Sequence, residues 1–328
     1  MDKLISKIEK LIKYEKITNP DIQYLDPKHA GLIAQIITNY KLKPAEAQNC
    51  SAQMIFLGAP TGAGKDTLVR KIMSDNPSEN FVVLNMDMFR TYHNEISGNN
   101  SPILDKDYAR ATNQSSYELY YIIQELILRE FPGTSVIVTG TMTDLDWVKE
   151  IATRYKLEPN TNFKIQLITL AVPINESAFS IFERYLNMVN TRGNSTLPLR
   201  YTDLKYHNDT IKGFSRNLHI LEDELHSKKE NSLFKSIKVY RRSNDILDLS
   251  EDTLVYDSSN PPSDKCAFSM VHEIMNSQNV INSKRTDRLY EIIECNSEYL
   301  KAQNLYDSIK SDLTHIVSQE KTNEDISK

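Results

Sequence analysis

The sequence predicts an α/β fold, a mostly parallel sheet built around a phosphate-binding loop, with helical segments before and after it. Two observations predict this. An apolar run, Met54 to Leu57, breaks into a turn holding Gly58, Gly62 and Gly64, and Lys65 and a helical stretch follow directly. From residue 51 onward, short apolar runs alternate with helix-length segments, the pattern of parallel strands joined by crossover helices.

Residues 1–50 read as helical. Leu4, Ile5, Ile8, Leu11 and Ile12 lie at helical spacing among charges over Met1–Lys16, an amphipathic helix rather than the apolar core of a secretory signal. Asn19-Pro20-Asp21 marks a turn, and His29 to Ile37 forms a second helix with an apolar face, closed before Lys43-Pro44. Such helices cover an edge or face of a following sheet, or dock a partner.

The loop itself comprises Gly58, Ala59, Pro60, Thr61, Gly62, Ala63, Gly64, Lys65, Asp66 and Thr67. Glycines allow backbone N–H groups to converge on an anion, the helix N-terminus adds partial positive charge, and Lys65 reaches the outer phosphates. These residues form the expected ATP site. Against the G-x-x-x-x-G-K-[ST] pattern, Ala59 stands at the first glycine and Asp66 at the Mg²⁺-ligating hydroxyl. Thr67 comes one position later, a spacing that resembles the G-K-G-T ending of adenylate kinases. Either the Thr67 hydroxyl or the Asp66 carboxylate supplies an oxygen that Mg²⁺ accepts.

Further strands are expected at Phe81–Met86, Ser135–Thr139, Phe163–Val172 and Ser236–Arg241, after a first strand at Gln53–Gly58. Helices are expected near 64–74, 105–130, 144–156, 174–191 and 202–228. In open parallel sheets ligands gather at the C-terminal strand ends. That rule selects Asp87, Thr139-Gly140-Thr141 and the polar residues after Val172. An Asp just past a strand beside a phosphate loop can orient and deprotonate an acceptor hydroxyl; it can equally cap the next segment. His93 nearby reads as a loop residue. Thr139 and Thr141 flank a glycine that allows close approach of a polar substrate, and the same residues also suit a plain strand-to-helix turn with Asp144 as cap. Arg184 and Arg200 flank a polar loop, Asn190 to Thr196, as in a lid that closes over a triphosphate and neutralises transferring charge. Singly, each arginine suits a surface ion pair.

Composition narrows the class. The 328 residues are 40% hydrophobic and 25% charged, as in globular proteins, and the net charge of −5 argues against an extended basic groove for nucleic acid. Cys50, Cys266 and Cys295 are far apart and show no disulfide framework or zinc spacing, which suits thiols in a reducing cytoplasm. No apolar run is long enough to span a bilayer.

Several short motifs in order resemble the zeta-toxin family of bacterial toxin–antitoxin systems. They are Gly62-Ala63-Gly64-Lys65, Asp87-Met88-Phe89, Thr139-Gly140-Thr141, Ala171-Val172-Pro173, Glu183-Arg184-Tyr185, and Arg200-Tyr201-Thr202 with His207-Asn208, spread over about 50–245. The resemblance implies a P-loop NTPase kinase-type core and an ATP- and Mg²⁺-dependent kinase of UDP-N-acetylglucosamine or a related nucleotide sugar, with an antitoxin as partner. It implies that Lys65 holds ATP phosphates, Asp87 is the general base, Arg184 and Arg200 stabilise the transferring group, and Thr141 touches the sugar nucleotide. The family carries an acidic substrate contact where this chain has Thr139. Glu118 matches another such contact, across a longer intervening segment. The residues alone also allow a kinase of another nucleotide, sugar or nucleic-acid end, a nucleotide-dependent regulatory ATPase, or a nucleotide-binding module without turnover.

The expected boundaries are an N-terminal helical segment at 1–50, the core at 51–257 and a C-terminal helical extension at 258–328. Ser243-Asn244-Asp245 reads as a turn, Ile246–Tyr256 as short edge strands and Ser258–Ser263 as a linker. Apolar spacing at Met270-Val271-Ile274, Leu289-Ile292-Ile293 and Leu300-Leu305-Ile309-Leu313-Ile316 gives helices that cap the core, dimerise or offer a partner surface. The polar residues Ser318 to Lys328 are expected to fray.

Overall fold

The computed structural model describes residues 1–42, 50–159, 161–193, 198–228, 231–242, 253–262, 265–277 and 281–326. Helices α1 (Asp2–Thr18) and α2 (Ala30–Asn39) precede strand β1 (Cys50–Gly58). Then follow α3 (Lys65–Asp75), β2 (Val82–Leu84), a 3₁₀ turn (Met86–Tyr92), α4 (His93–Ser97), α5 (Asp105–Ala111) and α6 (Asn113–Glu130). The core continues through β3 (Val136–Gly140), α7 (Leu145–Lys156), β4 (Thr161–Ala171), α8 (Ile174–Thr191), α9 (Leu204–Lys228), β5 (Ser236–Arg241) and β6 (Leu254–Asp257). The C-terminal helices are α10 (Ala267–Met275), α11 (Ser283–Cys295), α12 (Ser297–Ala302) and α13 (Tyr306–Ile326).

The strands form one sheet in the order β2-β3-β1-β4-β5-β6, with every pairing parallel except β5 with β6. Strand side chains alternate between faces. Met54 and Phe56 of β1 therefore join the main core with α1, α2, α6, α7 and α9, while Ile55 and Leu57 pack with α3 on the other face. Burial on both faces explains the near-continuous apolar strands. β1 lies between β3 and β4, so its C-terminal end, where the phosphate loop begins, is central in the sheet.

Three expectations change. The 105–130 helix is two helices, because Arg90 Nη1 donates to the Ala109 carbonyl (2.6 Å) and to Thr112 Oγ1 (2.9 Å), interrupting the helical ladder. The second strand stops at Leu84 rather than Met86, where the Asn85 side chain accepts from the Asp87 N–H (3.0 Å) and starts the 3₁₀ turn. The C-terminal segment does not fray at Ser318, since α13 runs to Ile326. The expected turn at 243–245 and the first part of the edge strands, 246–252, lie outside the described residues.

The N-terminal helices lie against α6 in the main core: Glu15 accepts from Tyr121 Oη (3.0 Å) and from Arg129 (2.8 Å). Helix α10 belongs to that same core. Helices α11 to α13 instead build a second core with α8, around Phe182, Tyr185, Leu289, Ile293 and Ile309. Among the described residues, no helix is long and apolar enough to cross a membrane.

Candidate active site

The turn after β1 is held by its neighbours. The Ala59 N–H donates to the Gly140 carbonyl (3.2 Å), fixing the start of the loop to the end of β3. Gly62 (φ 78°) and Gly64 (φ 98°) occupy the left-handed region that favours glycine. A Cβ on Gly62 would lie 2.1 Å from the Ser177 carbonyl of α8, so only glycine lets loop and helix pack this closely. Beneath the loop, the Ser177 hydroxyl bonds His207 Nε2 (2.8 Å), and the Thr61 and Thr210 hydroxyls meet at 3.4 Å. Burial pushes His207 down to about 4, so it stays neutral as a joint between α8 and α9.

Lys65 opens α3 and its Nζ donates to the Ala59 (2.8 Å) and Pro60 (3.0 Å) carbonyls. Burial, with Arg200 and Arg184 nearby, pushes its amine down to about 7, while Asp66 acts in the opposite direction. The field of Asp66 also acts on Arg184 and Arg200. Lys65, Asp66, Arg184 and Arg200, from three separate chain segments, thus share one site.

Asp87 joins them. Its Oδ1 accepts from Arg90 Nε (2.8 Å) and its Oδ2 pairs with Arg200 Nη1. Arg200 Nε is buried and finds no acceptor among the described residues, a donor suited to an anion. Arg184 is on the exposed side of α8. Residues 194–196 of the expected lid loop lie outside the described residues, and Arg192, near its start, stacks over the Tyr299 ring (4.3 Å).

The substrate residues fare differently. Thr139, at the end of β3, is buried, and the Thr141 hydroxyl bonds that of Thr143 (2.8 Å). Glu118 is not brought to the site. It is fully buried in α6, and its carboxylate accepts from the N–H groups of Gln23, Tyr24 and Leu25 and from Gln114. A carboxylate engaged by three backbone donors holds the 23–25 segment; this corrects the expectation of a substrate contact.

For a cation, the carboxylate of Asp66 in the first turn of α3 is the fitting oxygen donor. The Thr67 hydroxyl accepts from the exposed Arg70 (3.3 Å). Among the described residues, no three or more His, Cys, Asp or Glu side chains gather as a metal cage.

Sequence reading missed Arg90 and Arg242. Arg90 lies three residues after Asp87, a spacing that brings side chains together on one turn. Arg242 directly follows β5, where the strand-end rule also points; it donates to the Gly62 carbonyl (3.1 Å) and Ser180 Oγ (3.1 Å) and pairs with Glu176 (3.5 Å).

The zeta toxin family model matches residues 39–258 of this sequence. Among curated proteins, none matches. Among solved structures, the chain is similar to one from the PezAT chromosomal toxin–antitoxin system of Streptococcus pneumoniae: 18% identity, TM-score 0.58, covering 82% of this chain and 96% of that one. It is also similar to AvrRxo1-ORF1:AvrRxo1-ORF2 with sulphate ions (14% identity, TM-score 0.51, 93% of each chain). The same complex with ATP gives 13% identity and a TM-score of 0.51, again over 93% of each chain. At these identities the structures show the shared fold.

Proposed function

The chain belongs to the zeta toxin family, and from that footing we propose that it is an ATP-dependent kinase whose acceptor is a hydroxyl of UDP-N-acetylglucosamine. The observation that carries the proposal is the gathering of Arg200, Arg184 and Asp66 around the lysine of the phosphate loop, with Asp87 ion-paired to Arg200. Phosphoryl transfer asks little covalent chemistry of a protein; it needs positioning and charge stabilisation, which this arrangement supplies.

In the proposed mechanism the loop N–H groups and Lys65 hold the outer phosphates of ATP. Asp87 takes the proton from the acceptor hydroxyl, whose oxygen bonds the γ-phosphorus as the bond to the bridging oxygen breaks and ADP leaves. Arg184 and Arg200 face the charge on the transferring group. Asp66, with Thr67 as the alternative oxygen, would hold Mg²⁺, which neutralises phosphate charge when bound. Thr139 and Thr141 contact the nucleotide sugar through neutral hydrogen bonds.

The solved structures of similar fold include one from a toxin–antitoxin system and one two-component complex with ATP. They support an antitoxin chain as partner and ATP as donor, and both suit a reaction in the cytoplasm. Labelled ATP incubated with a metabolite extract tests the reaction class. Label on a small molecule supports a kinase; label only in free phosphate assigns a regulatory ATPase instead.

A further inference from the structure

Helices α11 to α13 lie beyond the family match, which ends at residue 258. Their core nevertheless includes α8, which carries Arg184, together with Leu199 and Tyr201 on either side of Arg200. The connection runs through Asp105, which is 1% exposed and opens α5. Its Oδ1 accepts the Leu199 N–H (2.8 Å), and its Oδ2 accepts the hydroxyls of Tyr185 (2.6 Å) and Tyr299 (2.5 Å). Its own N–H donates to Gln303 Oε1 (2.9 Å), so the extension grips Asp105 at both ends. Tyr185 follows Arg184 and Leu199 precedes Arg200. One buried carboxylate therefore holds the immediate neighbour of each arginine, and α12 supplies its outer anchor. A second link runs parallel to it: Arg285 of α11 bonds Glu183 (2.7 Å), the other neighbour of Arg184.

We propose that the C-terminal helices are a working part of the site, with Asp105 a positioning residue, anchored by Tyr299, that fixes Arg184 and Arg200 against the phosphate loop. The inference rests on the kinase reading above for the roles of the arginines. A carboxylate with three good donors is stable glue wherever it sits. What gives this one a catalytic consequence is that two of its donors adjoin the two charge-stabilising arginines, where a displacement of about 1 Å can cost about 10²-fold in rate.

The test uses the full chain with Tyr299→Phe, which deletes one hydroxyl, and Asp105→Asn, which removes the charge. Tyr290→Phe, on the same extension but bonded, among the described residues, only to Thr314 (2.9 Å), is the control. Hydrogen exchange is followed over 198–204, and kcat and KM for ATP are measured with UDP-N-acetylglucosamine as acceptor. We expect faster exchange at Leu199 and kcat lower by about tenfold or more, with KM for ATP within about twofold. The control should match the wild type. Unchanged exchange in both variants overturns the proposal, as does faster exchange with unchanged kcat, or a loss that follows only the unfolded fraction. If the wild type leaves UDP-N-acetylglucosamine untouched, the acceptor assignment fails separately. Exchange at Leu199 then decides the positioning claim alone: faster supports it and unchanged overturns it.

Discussion

Asp87 and Arg200 are ion-paired across the site, one from the 3₁₀ turn after β2 and the other from the segment entering α9. The pair joins the group expected to take the acceptor proton to one expected to face the transferring phosphoryl charge. Arg90 holds the other carboxylate oxygen at 2.8 Å, which orients Asp87 whether or not Arg200 turns toward phosphate.

Replacing Asp87 with Asn keeps the shape and removes the base. ATP affinity should stay near wild type while transfer falls by about 10²–10⁴-fold, the usual contribution of a positioned acid–base group. Equilibrium ATP binding and single-turnover transfer check this. Full activity in Asp87→Asn would remove the base assignment.

Lys65, pushed down to about 7 by burial and the neighbouring arginines, should make ATP binding pH-dependent. A bound phosphate favours the charged amine and raises its pKa, so at pH 8 binding takes up a proton. Affinity should then fall as pH rises above about 7, by at most about tenfold per unit. Calorimetry at pH 8 in buffers of different ionisation heat measures the uptake; no proton exchange contradicts it.

His207 is neutral in the fold, at about 4 against an ordinary 6.5. Its contribution to stability is complete above pH 6.5 and is lost as pH falls from 6.5 toward 4, up to about 3 kcal/mol. Urea unfolding of the wild type and His207→Gln across this window should show a steeper acid loss in the wild type. Parallel pH profiles would contradict the assignment.

Glu118→Gln should destabilise the fold by about 1.5–3 kcal/mol, since charged hydrogen bonds to the 23–25 backbone become neutral and one oxygen becomes a donor facing donors. KM for the acceptor should not change. A raised KM with unaltered stability would restore the substrate role.

What was legible in the sequence was local. The left-handed glycines, Lys65, the two-faced strands and Asp87 at a strand end each show within about ten residues. The distribution of carboxylates was not legible, because their partners are remote. Glu118 is claimed by backbone 93–95 positions earlier, and Asp105 by Leu199, 94 positions later. A buried carboxylate and a substrate-binding one look alike until the chain has folded around them. Motif matching placed Glu118 in the site and passed over Asp105 for that reason.

The most direct test of the central claim is transfer of label from γ-labelled ATP to pure UDP-N-acetylglucosamine by the wild-type chain, with Lys65→Ala and Asp87→Asn alongside. Label should appear on the UDP-sugar with the wild type, should be absent with Lys65→Ala, and should form at a rate lower by about 10²-fold or more with Asp87→Asn. Label found only as free phosphate, or transfer to the sugar that survives Lys65→Ala, would contradict it.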